Sequence, residues 1–457
     1  MSSVTNEGKY PLKAYLRFII FSGFGVFAFF INFNLPELNF SLFGYHAVLT
    51  ERRTFLVDHI TKAVLIILKP VMPYIALLFG LLGILDLIKN RSRIFRTKIQ
   101  ALFSLARVFG FIILLMCVFD FGPSVLRAPD TGLLAMNNIF ISYIVSIPVA
   151  AAFLPLLLEY GLVDFFGALT RPLMRPVFKL PGRAAVISVS AFLGNFSLGH
   201  IAINEEYQTG KMTNKECQII GTCLSTVSIG FMILIANNTG IIAHWNFFFW
   251  TAYFITLSVT VLSIRLRPLK MIEDKYMPGV KPNPETEYND HLLKNAFISA
   301  MNTAQNSDPF YRRLWHMLKN SAYILVAAGN VTMAFAVLGS VISIYTPIFK
   351  WIGYIFYPVM KLVGISASEI NTASTSAILS FIDATLPSLM IVGGEWSMRV
   401  RYMIAVLPIS SIIFLGSFVP TIMATKVPVK FSHLCIIWAE RVFLTIIITG
   451  AVGLIYF

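Results

Sequence analysis

The chain has 457 residues, 57% of them hydrophobic and 13% charged, with a mean hydropathy of +0.75. Soluble proteins carry about 25% charged residues, so half that density, with several apolar runs of about 20 residues, describes a polytopic membrane protein with no stand-alone soluble domain. The net charge of +14 reads as Lys and Arg gathered in cytoplasmic loops, not as a nucleic-acid surface.

In chain order, the first apolar run, about Ala14 to Ile31, follows Lys9, Lys13 and Arg17 and reads as a retained first span. A polar-neutral loop is expected to about Arg53. The apolar stretch from about Phe55 to Ile88 contains Lys69-Pro70 and Pro73, so a bent or two-part helix is expected. Lys89, Arg91, Arg93, Arg96 and Lys98 form the densest basic cluster and place that loop, and with it the N-terminus, in the cytoplasm. Spans are expected at about Ile99 to Phe119 and Leu133 to Leu158. Tyr160 to Phe178 carries Pro172, Pro176 and charges and should lie along the interface. Full spans follow at about Thr213 to Ala236 and Trp245 to Ile264. The polar stretch from about Leu266 to Pro309 reads as a cytoplasmic loop. Beyond it come a span (about Trp315 to Ser343), an interfacial segment (Tyr345 to Val363), a broken stretch (Ser366 to Trp396) and spans at about Val400 to Met423 and Leu434 to Phe457.

The segment Ala184 to Gly210 is the least ordinary part of the chain. Its first limb, ending at Asn195, would reach about 18 Å as a helix, against a hydrocarbon core of about 30 Å. Gly194 and Gly199 allow a tight reversal. A re-entrant helical hairpin is therefore expected, and the basic residues on either side (Arg183, Arg265) make it enter from the cytoplasm. The two halves of the chain share one order: span, Pro-bearing interfacial segment, broken hairpin, span, span. An offset of 186 aligns Ser188 with Ser374, Ser190 with Ser376, Pro172 with Pro358, Ser225 with Ser411 and Gly230 with Gly416. The first copy starts outside and the second inside, so the fold class expected is all-α and polytopic, an inverted-topology repeat with two re-entrant helical hairpins. Such repeats build a solute site near the midplane from discontinuous helices.

The candidate site residues follow from that placement. Asn195, Ser197, His200 and Asn204 in the first hairpin, Ser225 and Thr226 in the following span, and Ser374, Ser376 and Thr385 in the second hairpin are candidate solute contacts. Ser and Thr at such positions also commonly bond to the backbone or pack against a neighbouring helix. Glu205 and Asp383 are candidate ion-coupling groups, since an intramembrane acid is costly unless it is paired or functional. Glu205 and Glu206 could instead be solvated in the headgroup region, and Glu440 with Arg441 could bond to each other or to neighbours. His200, Asn204 and Glu205 have poor zinc spacing, and Cys117, Cys217, Cys223 and Cys435 have none. With no G-x-S-x-G, neither an enzyme nor a cofactor or metal site is expected.

The run GNFSLGHIAINEEYQTGKMTNKECQIIGTCLSTVSIGF, from Gly194 to Phe231, resembles the YjiH family of bacterial inner-membrane proteins. These carry the Gate, or nucleoside-recognition, domain found also in concentrative nucleoside transporters. The resemblance implies a pair of inverted re-entrant hairpins and a multi-pass protein of the bacterial inner membrane with its N-terminus in the cytoplasm. The carboxylate-bearing hairpin motif by which nucleoside transporters hold ribose and base has no clear counterpart here. The reading from all of this is an ion- or proton-coupled secondary transporter of a small polar solute, nucleosides among the candidates. The alternative is a non-transporting membrane assembly or signalling scaffold. The expected domains are residues 1–131 (scaffold spans, able to form a homo-oligomer contact), 132–265 (first Gate-like repeat), 266–309 (cytoplasmic loop) and 310–457 (second, inverted repeat). The expected partners are the solute, a coupling ion and the lipid bilayer.

Overall fold

A computed structural model describes residues 10–42, 45–49, 52–89, 98–193, 196–285 and 291–457. The chain is a predominantly helical, multi-pass membrane protein, and among the described residues seven helices are long and apolar enough to cross a bilayer. The basic residues Arg91, Arg93 and Arg96 lie outside the described residues.

The longest helix, Phe310–Tyr345, stands at the centre and packs against Lys98–Phe119, Ile141–Leu158 and Met72–Lys89. Small residues make the approach close. A Cβ on Gly110 would fall 1.8 Å from the Asn330 carbonyl, and Asn330 Nδ2 donates to the Gly80 carbonyl at 2.8 Å. Between apolar helices there is little hydrophobic drive, so contacts of this kind and interhelical hydrogen bonds carry the packing.

The expected bend in the second apolar stretch falls where proline requires it. Leu56–Ile67 ends at a turn through Lys69 and Pro70, and Met72–Lys89 begins after it. Two expectations change here. The polar-neutral loop contains two short antiparallel ladders, Asn32–Leu35 with Arg52–Phe55 and Leu38–Leu42 with Tyr45–Leu49. The stretch read as a cytoplasmic loop holds a helix, Leu292–Asn306, whose small buried face (Ala296, Ala300, Ala304) packs on Leu162–Phe178 and Leu12–Leu16. Runs of polar residues with Asn and Pro masked that Ala periodicity in the sequence.

The repeated order of elements is present. In the first half Leu162–Phe178 is followed by a short helix pair, Arg183–Leu193 and Phe196–Gln208. In the second half Ile348–Gly353 and Tyr357–Leu362 precede a second short pair, Ile370–Ile382 and Leu386–Leu389. The span after each pair differs from expectation in the same way, because both are broken. Asn214–Ile219 runs through Ile220–Leu224, then unwinds over residues 225–228 before Ile229–Thr239. Met398–Ser410 likewise ends, and Phe418–Ala424 begins after an irregular stretch at residues 411–417. The breaks start at Ser225 and Ser411, which are 186 positions apart, the offset read from the sequence. Serine favours such breaks because its hydroxyl competes for backbone groups. Ser225 Oγ donates to the Ile220 carbonyl at 3.1 Å, and Ser411 Oγ donates to the Leu407 carbonyl at 2.6 Å.

Candidate solute site

The broken spans leave room where their ends meet the tips of the short pairs. A cavity of about 620 Å³ lies there, within the range of small-molecule sites. One wall is the start of Phe196–Gln208, through Phe196, Ser197 and Leu198, and another is the tip of the second pair, through Asp383, Ala384 and Thr385. Val227 and Ser228 come from the first break, Phe414 and Ser417 from the second. Residues adjoining the two expected turns thus face one space. Asn195 itself lies outside the described residues.

The second tip is held by Asp383. Its Oδ1 accepts the Thr385 backbone N–H at 2.8 Å and the Thr385 hydroxyl, a local turn that fixes the carboxylate at the cavity edge. The adjacent break closes against the same tip. Leu415 N donates to the Phe381 carbonyl at 2.7 Å and Gly416 N to the Ile382 carbonyl at 2.8 Å. A side chain at Gly416 would meet Asp383 Oδ2 at 2.9 Å, so glycine is needed for that approach.

Of the residues singled out in the sequence, Ser197, Asp383 and Thr385 line the cavity. The others are placed elsewhere. His200 is wholly buried, edge-on to Phe418 with ring centroids 4.6 Å apart. Asn204 Oδ1 accepts the Lys426 N–H at 2.7 Å and so ties the first pair to the end of the second broken span. Ser225 packs under Gly199, where a Cβ would fall 2.2 Å from its Oγ. Thr226 Oγ1 donates to the Val227 carbonyl at 3.1 Å. Ser376 faces Met390 Sδ, and the Ser374 hydroxyl is buried. Glu205 is buried away from the cavity, beside Asn320 (3.3 Å) and His316 (3.5 Å) of the central helix. Glu206 pairs with Arg183 at 2.9 Å.

Several cavity groups were not singled out. Asn138, Ser142, Tyr143 and Ser146 come from the 132–158 segment, and Asn238 comes from the second limb of the first broken span. Tyr143 is in hydrogen-bonding reach of Ser417 and Ser197 and in the electrostatic field of Asp383. Asp58, Thr61 and Lys62 of Leu56–Ile67 add polar groups to the lining. The N-terminal spans, read as a scaffold outside the repeat, therefore contribute a wall of the cavity. The spacing of Asn138, Ser142 and Ser146, four apart on one helical face, was the available signal. It was hidden in a stretch read only as an apolar span.

A cavity walled by two tips and two helix breaks inside a bundle of spans defines a multi-pass membrane protein with a built solute-sized chamber. Residues 140–242, which hold the first pair and the first broken span, match the Gate family, described as nucleoside recognition. The Gate resemblance seen in the sequence therefore holds across that region. An uncharacterized protein of Alkalihalophilus pseudofirmus is 26% identical over 353 residues, covering 77% of this chain and 76% of its own. A solved structure titled "Structure of CNTnw in an inward-facing substrate-bound state" aligns with 86% of this chain and 97% of its own, at 12% identity and a TM-score of 0.33.

Proposed function

We propose that the protein is a secondary transporter of a small polar solute in the bacterial inner membrane, with nucleosides the leading class. The observation that supports this most is the cavity shared by Ser197 on one short pair and Asp383–Thr385 on the other, with both helix breaks between them. In this reading the two short pairs are re-entrant hairpins of an inverted repeat, and each opens the chamber to one side of the membrane in turn. Residues 132–265 and 310–457 are the repeats, and the N-terminus is cytoplasmic.

The lining suits a ligand with a planar apolar part and several hydroxyls. Phe196, Phe231, Phe414 and Tyr143 offer ring faces and edges for a base. Asn138, Asn238, Ser197, Ser417 and Thr385 offer both donors and acceptors for ribose and base edges. Asp383, the lining acid set against Gly416 of the second break, is the coupling group of this proposal and would take up a proton or sodium ion as the chamber closes. Glu205, held between Asn320 and His316, is assigned to the closure between halves and not to the solute.

The test is thermal melting of the purified protein across nucleosides, amino acids and organic anions, followed by gradient-driven uptake in proteoliposomes. A ligand that binds the folded state raises the midpoint by mass action. Saturable stabilisation and uptake by one class, with binding weakened about 10-fold or more and uptake lost in Asp383→Asn, is the expected result. No stabilisation by any class, and no uptake under a proton or sodium gradient, would leave the scaffold reading in its place.

A further inference from the structure

A broken transmembrane helix exposes carbonyls that would otherwise accept the N–H four residues on. Here the breaks at residues 225–228 and 411–417 free the carbonyls of Cys223 and Ser410, and both residues are fully buried. One guanidinium nitrogen reaches both of these carbonyls, so the negative C-terminal ends of the two half-helices lie close together as well. Discontinuous helices of this kind hold inorganic cations in transporters, through those same unwound carbonyls and half-helix C-termini.

The position is already filled by a side chain. Arg441, midway along Phe431–Tyr456, is 0% exposed. Its Nε donates to the Ser410 carbonyl at 2.8 Å, and its Nη2 donates to the same carbonyl. Nη2 also reaches the Cys223 carbonyl at 3.2 Å, and Nη1 donates to Thr260 Oγ1 at 3.2 Å. Thr260 Oγ1 lies 2.9 Å from the Cys223 carbonyl, closing the cluster. Each of these hydrogen bonds goes to a neutral oxygen. Among the described residues Arg441 has no carboxylate partner, and the adjacent Glu440 is not one.

We propose that Arg441 is a built-in cation that occupies the carbonyl cluster between the two helix breaks, so that no inorganic cation binds there. Arg441 lies outside the cavity lining and is a positioning residue: one guanidinium fixes both breaks, and hence both unwound segments facing the chamber, in a single register. Given the transport reading, on which only this consequence rests, the coupling ion is taken up at Asp383 and not at the breaks. A planar fork with several donors suits this role better than an ammonium, because it spans two carbonyls and a hydroxyl at once.

The test is thermal melting of the full chain in N-methylglucamine chloride, with sodium, potassium or guanidinium chloride added at millimolar concentration, all in an Asp383→Asn background. With Arg441 present, these cations should give no saturable shift. Arg441→Ala should melt lower and gain a saturable rise of about 2 °C or more with guanidinium or an alkali cation. The comparison of Arg441→Lys with Arg441→Gln needs no cavity: Lys, which keeps a charge, should retain the higher midpoint. An Arg441→Ala protein with no cation response, or a Gln variant as stable as the Lys variant, overturns the proposal. Neither readout depends on uptake, so a failure of the transport reading leaves it standing and its own failure leaves transport standing.

Discussion

The two short helix pairs occupy corresponding places in the chain, yet they are held in different ways. The first is fastened by buried charge. Arg183, at the start of its first helix, reaches Glu206 of its second at 2.9 Å and Asp164 at 3.1 Å. Lys211 adds a longer contact to Glu206 at 3.7 Å. From outside, Glu285 accepts the backbone N–H of Gly182 at 2.8 Å and of Arg183 at 3.3 Å, and the chain near it bonds to the same end through Asn283 N to the Gly210 carbonyl. The second pair is held by neutral hydrogen bonds: Leu415 N and Gly416 N to the Phe381 and Ile382 carbonyls, Trp438 Nε1 to Ser380 Oγ at 3.2 Å and Asn238 Nδ2 to Ser388 Oγ at 3.1 Å. Its charged fastening, Glu369 to Ser397 and Ser366, lies at the surface. Its tip instead carries Asp383, an acid facing the cavity. Stability is not uniform across a fold, and elements that move come from its weakly held parts. The difference predicts that the first pair is a fixed wall and the second is the part that moves.

The sharpest way to break this contrast is Arg183→Ala. It takes the guanidinium from Asp164 and leaves Glu206 only its longer contact to Lys211, and removing one partner of a buried pair costs about 3–5 kcal/mol. Thermal melting should show a larger loss than substitution of Asp383, Tyr143 or Glu369 produces, with proteolysis appearing first within the first pair. An Arg183→Ala protein that melts as the parent does would place the first pair among the weakly held parts as well.

Asp383→Asn comes next and tests the other side of the contrast. The amide keeps an oxygen to accept from Thr385, so the fold should change little. Solute affinity should fall about 10-fold or more, since hydrogen bonds to charged groups contribute about 1.5–3 kcal/mol. Isothermal binding with whichever solute stabilises the parent reads this directly, and an unchanged affinity removes Asp383 from the site. Tyr143→Phe is a milder change. It deletes the hydroxyl in reach of Ser417 and Ser197 and keeps the ring, so a loss of about 1 kcal/mol, or about 5-fold in affinity, is expected. An unchanged affinity would mean that the hydroxyl serves the wall and not the solute.

How far each feature is legible in the sequence depends on what it does to local composition. The short first pair was legible because the ten mostly apolar residues between Arg183 and Gly194 cannot cross a bilayer. Asp383 was legible because an acid in an apolar run is conspicuous. The breaks at Ser225 and Ser411 were not, although their alignment was visible. Residues 213–239 keep enough hydropathy to span, and Ser and Thr are ordinary in membrane helices, so unwinding depends on what receives the freed carbonyls. Here the recipient is Arg441, 218 residues from Cys223, and the sequence offered it only as a partner for Glu440 or its neighbours. Glu205 and Asn204 show the same limit. Both were placed on a plausible face, but their partners, Asn320 and Lys426, belong to the other half of the chain.

The smallest expected effect, and the finest test of the contrast, is at Glu369. Burial by itself raises the pKa of this carboxyl, but the N–H of Ser397 and the hydroxyls of Ser366 and Ser397 together outweigh it and hold the group below its ordinary value. A depressed folded-state pKa contributes stability that is present above the unfolded value, about 4.3, and is lost as pH falls through the folded value. The parent should therefore lose a small part of its stability below about pH 4, and Glu369→Gln should lose that part of the pH dependence while melting slightly lower at neutral pH. Because the group is only partly buried at the protein surface and is screened by solvent, the whole effect should stay under about 1 kcal/mol. Hydrogen exchange at Ser397 and Val400 isolates it: faster exchange confined to the second pair, with the first pair unchanged, is the result the comparison requires. An equal rise at Gly182 and Arg183 would mean that the two pairs open together, and the fixed-wall account of the first would fall.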